Sequence, residues 1–90
     1  MDEDKLNRWA AQFIGEDEEM VADAVDAKWY TKSAGAALAL LYKMGSEGKK
    51  VELDIEDGKV EIECGGCTET GALAELPLLI TRSCYRCANG

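Results

Sequence analysis

The chain has 90 residues, 10 Lys+Arg against 18 Asp+Glu, a formal net charge of −8 and 47% hydrophobic residues. That mix excludes a disordered tail, allows one domain with a modest core, and argues against nucleic acid, which needs a basic patch where this chain offers only Lys49-Lys50. The apolar stretch at residues 34–41 is far shorter than the roughly 20 residues that cross a bilayer, so no membrane span is expected.

Residues 2–14 carry Leu6, Trp9, Ala10, Phe13 and Ile14 at the spacing of one helical stripe. Asp2, Glu3 and Asp4 sit where the helix dipole favours negative charge, and Gly15 suits a left-handed stop. A second helix is expected from residue 17 to about 30, with Met20, Val21, Ala24 and Val25 on its buried side. A third, capped by Thr31 or Ser33, is expected to run to Met44 and stop at Gly45. It is apolar nearly all round, which places it centrally or in a homodimer interface.

Beyond Gly45 the hydrophobic period drops to two. Val51, Leu53 and Ile55 alternate with acidic residues, Asp57-Gly58 signals a two-residue hairpin turn, and Val60 and Ile62 alternate on the return. That turn sets the register: Glu56 opposes Lys59, Ile55 opposes Val60, Leu53 opposes Ile62 and Val51 opposes Cys64. The apolar residues then share one face. The other face carries Glu52, Asp54, Glu56, Glu61 and Glu63. These serve either as a solvated face guarding an edge strand, the favoured reading, or as a dock for a basic partner. Further on, residues 70–76 read as a short helix ended by Pro77, and residues 78–83 as a third strand.

Cys64, Cys67, Cys84 and Cys87 form C-x2-C-x16-C-x2-C, a spacing suited to four thiolates around one tetrahedral zinc ion. Each pair follows an expected strand. Together with the preceding hairpin, these residues resemble the zinc-ribbon or rubredoxin-like group. The resemblance implies one structural Zn2+ held by Cys64, Cys67, Cys84 and Cys87, and no substrate. Thr68 and Ala88 stand where such turns commonly carry Gly, with Gly65-Gly66 as the flexible pair instead. An iron site ranks behind zinc. So does a dithiol redox pair, because neither Cys-x-x-Cys is followed by an expected amphipathic helix. Arg82 and Arg86 flank Cys84 and are expected to offset the thiolate charge or to pair with Glu63 or Glu69.

Four thiolates leave no open position for water, and the chain has no His, the commonest general base. The expectation is therefore a non-enzymatic, cytoplasmic, zinc-binding module or accessory subunit whose partner is another protein. The alternative is a redox or electron-transfer protein. The acidic start MDEDK lacks the basic and then apolar pattern of a signal peptide, and reduced cytosolic thiols suit metal binding. The expected architecture is a single α+β domain. A helical half over residues 1–45 packs on a small antiparallel sheet, and the four-cysteine site lies within residues 50–90.

Overall fold

The computed structural model describes residues 2–89. The fold is α+β, and its helices are α1 (Glu3–Ile14), α2 (Glu18–Ala27), α3 (Trp29–Lys32), α4 (Ala34–Ser46) and α5 (Leu76–Asn89). The strands β1 (Val51–Glu56), β2 (Lys59–Cys64) and β3 (Cys67–Ala72) form one antiparallel sheet in the order β1-β2-β3.

Three of the helices before the sheet, α1, α2 and α4, have a local reason to start where they do. The Asp2 carboxylate accepts from the Lys5 amide at 2.7 Å, that of Asp17 from Met20 at 2.9 Å, and the Ser33 hydroxyl from Ala36 at 3.2 Å. Gly15 closes α1 in the left-handed region at φ 99°. The expected single helix from residue 17 to about 30 is broken. Lys28 turns left-handed at φ 54° and α3 starts afresh. The cause is a long-range contact. Asn7, fully buried on α1, accepts from the amides of Tyr30 at 2.7 Å and Thr31 at 3.3 Å, and so caps α3 from another helix. Its amide also donates to Thr31 Oγ1 at 2.9 Å and to the Glu3 carbonyl at 2.8 Å.

The hairpin has the expected register at every pair from Glu56–Lys59 to Val51–Cys64. Two expectations for the following segment are overturned. Residues 70–76 are not a helix: they hold the end of β3, a 3-10 turn (Leu73–Glu75) and the first residue of α5. Residues 78–83 are not a strand but the body of α5. Proline lacks an amide hydrogen and has a fixed φ, so it fits the first turn of a helix, and Pro77 opens α5 rather than closing a helix before it. The third strand is instead Cys67–Ala72, folded back on β2 through Gly65 and Gly66 at φ 56° and 91°. Positive φ at both central residues is the tight hairpin geometry that suits glycine.

Helix α5 lies between the sheet and the helices. Leu79 and Ile80 are buried in the same core as Val60 and Ile62 of the sheet, Leu40 and Met44 of α4, and Tyr30 of α3. Thr81 donates to the Tyr30 carbonyl and to the Pro77 carbonyl. Gly71 of β3 gives α5 room: a Cβ there would stand 2.9 Å from Leu79 Cδ1. Helix α4 buries one face through Ala37, Leu40, Leu41 and Met44 and exposes Leu38 and Tyr42 on the other, so it flanks the core rather than occupying its centre.

Candidate metal centre

The first cysteine pair brackets a turn. Cys64 ends β2, Cys67 begins β3, and the two are directly opposed across Gly65-Gly66. In a strand the side chains alternate, so Cys64 shares the inner face with Val60 and Ile62, the face toward α5. The second pair lies on α5, where i and i+3 fall on one helical face. Leu76, Leu79, Ile80, Ser83, Cys84 and Cys87 make one continuous stripe of this kind, and it is the stripe turned inward. The second pair therefore sits on a helix and not at the strand end expected for it.

Hairpin tip and helix meet at the cysteines. A Cβ built on Gly65 would lie 2.3 Å from Cys87 Sγ, so the glycine backbone rests directly on that thiol. The Gly65 amide donates to the Lys50 carbonyl at 2.8 Å, fixing the tip to the segment before β1. Ser83 Oγ donates to the Cys67 carbonyl at 2.8 Å, tying α5 to the start of β3. Cys64 and Cys84 are fully buried, whereas Cys67 and Cys87 are half-buried.

The thiols feel one another. Burial pushes Cys64 up to about 11, with the adjacent Cys87 thiol and then the charge of Cys67 adding to the rise, while Cys84 pulls the other way. Burial raises Cys84 further, with Cys64 and Cys87 contributing. All four cysteines are free thiols. Among the described residues, no three or more His, Cys, Asp or Glu side chains stand in ready-made coordinating geometry.

Next to the thiols, Glu69 projects from the inner face of β3 with only 10% of its side chain exposed. Arg82 reaches its Oε1 at 3.3 Å and Arg86 contacts its Oε2. Of the two acidic partners expected for these arginines, Glu69 is the one engaged. The role of Gly65 as the contact surface for Cys87 was not foreseen, although the paired glycines between two cysteines are a visible signal for it.

The described helices include none long and apolar enough to cross a membrane. Comparison of the chain with protein-family models, curated proteins and solved structures gives no match.

Proposed function

We propose that this chain is a small zinc-binding protein in which Cys64, Cys67, Cys84 and Cys87 hold one structural Zn2+, and that it serves as a protein–protein interaction module or accessory subunit. The observation that carries the reading is the seating of Gly65, in the turn between Cys64 and Cys67, against Cys87 of α5. That contact brings the second pair, through Cys87, to the turn of the first, although Cys67 and Cys84 are 17 residues apart in sequence. The donor set suits the ion: four soft sulfurs, two of them shielded from water, and no competing imidazole. Binding requires rotation about the Cα–Cβ bonds to bring the thiols to about 2.3 Å from one centre, together with loss of their protons. A closed four-thiolate sphere activates no water, so the module is read as non-enzymatic. Reduced thiols held by metal fit a cytoplasmic setting.

The redox alternative draws less support. A reactive dithiol needs accessible thiols, and one member of each pair, Cys64 and Cys84, is fully buried. Elemental analysis of the purified protein tests the main reading. One zinc per chain, a colourless solution, and loss of that zinc in Cys84→Ser are expected. Full metal content in Cys84→Ser with unchanged thermal stability would remove the four-cysteine assignment, and a visible absorption band would replace zinc by iron.

A further inference from the structure

The edge of the sheet at β1 combines three features that belong together. First, its apolar row overhangs the core. Val60 and Ile62 on β2 are 2% and 0% exposed, yet their cross-strand partners Ile55 and Leu53 are 52% and 37% exposed. Helix α5 packs chiefly beneath β2 and β3, and the end of α4 lies against Val51 at the start of β1, away from Leu53 and Ile55. Second, the backbone is open on that side. The pairs alternate between hydrogen-bonded and free, starting from the bonded pair Glu56–Lys59 that flanks the turn. The amides and carbonyls of Ile55, Leu53 and Val51 therefore point away from β2. Third, the outward-facing residues of the same strand are Glu52, Asp54 and Glu56, and Glu61 and Glu63 lie opposite on β2. Across the β1–β2 ladder only Glu56 opposes a cation, Lys59, and Glu52 meets the exposed Lys50 just before β1 at 3.4 Å, which leaves Asp54, Glu61 and Glu63 as the carboxylates open to a partner's charge.

We propose that β1 is a docking edge for an extended segment of a partner protein in which basic and apolar residues alternate. Such a segment adds a fourth strand. Its backbone takes up the free groups of Val51, Leu53 and Ile55, and its apolar residues cover the overhanging row. Its Lys or Arg side chains reach the acidic row, where Glu52 and Asp54 now face like charges. A second copy of the chain is the wrong occupant. Pairing β1 with itself sets two acidic rows side by side on molecules each carrying a net charge of −8. The same charges that prevent self-pairing select a basic partner, a use of repulsion for specificity. The inference rests on the reading of the chain as an interaction module and makes no use of the metal.

The test uses the full chain, isotopically labelled, and a seven-residue peptide alternating Lys with Val and Ile. Metal content is measured on the same sample. Saturable amide shifts centred on residues 51–56 and slowed solvent exchange at Leu53 and Ile55 are expected. Affinity should fall about tenfold in Asp54→Lys, a change that also relieves the repulsion with Glu61 and so spares folding. A peptide N-methylated on the edge-facing amides should not bind. Equal binding of that peptide, or of one with the same residues in blocks, would reduce the effect to general charge attraction and overturn the docking edge. So would protection of Leu53 and Ile55 in the free protein accompanied by dimerisation. Binding by a sample without zinc would leave the docking edge standing and sink the metal reading alone.

Discussion

Gly65 leaves no room for a side chain. It adopts φ 56°, and its missing Cβ is the space that Cys87 Sγ fills. The expected result for Gly65→Ala is a stability loss of about 1–3 kcal/mol from left-handed strain and the displaced thiol, measured by urea unfolding. Weaker zinc retention should accompany it. Gly66→Ala, at φ 91° and with nothing within 4 Å of the added Cβ, should show backbone strain without the displaced sulfur. Tyr30 supplies a second test. Its phenol is raised by burial and then by the charge of Glu16. A raised acid stabilises the fold in its protonated form, so this contribution is complete below the unfolded value near pH 10 and is lost as pH climbs through the folded value. Tyr30→Phe should therefore lose less stability than the parent between about pH 9 and about pH 11, followed as the difference in denaturation midpoint.

Individual elements differ in how openly the sequence declares them. The hairpin was legible to the residue because a two-residue turn and strict alternation leave one register that keeps the apolar side chains together. Helix α5 was missed although its stripe from Leu76 to Cys87 has helical spacing. The run Leu-Leu-Ile-Thr after a proline has the local look of a strand, and the period becomes clear only when the cysteines are counted as apolar positions. The cysteines were legible as a set from their spacing, but the support of the second pair was not. The break at Lys28 had no local signal, because the residue that makes it is Asn7, more than 20 positions upstream. Asn7→Leu leaves the Tyr30 and Thr31 amides without their acceptor inside the core. A loss of about 3 kcal/mol is expected by urea denaturation, with zinc content intact in the folded fraction.

At the scale of the whole molecule, α5 is the shared wall. One side carries the cysteines toward the sheet, and other positions contact α1, α3 and α4. A change at the thiols cannot stay within the sheet, because Cys84 precedes Tyr85 and the Tyr85 ring meets Trp9 of α1 edge-on at 5.4 Å. Trp9 is in turn stacked on Phe13 at 5.1 Å. With the proposed zinc bound, a chelator should lower the melting temperature of both halves together, in a single transition recorded by circular dichroism. Two transitions would mean that the sheet and the helices unfold as separate units.

The contact between Trp9 and Tyr85 gives the protein a built-in optical gauge. Indole emission responds to the packing of its immediate neighbours, and one of those neighbours is covalently next to a proposed ligand. Occupancy of the thiols should thus be readable from the intensity and wavelength of intrinsic fluorescence without any added dye. Trp29, on α3, supplies the background against which that change is seen.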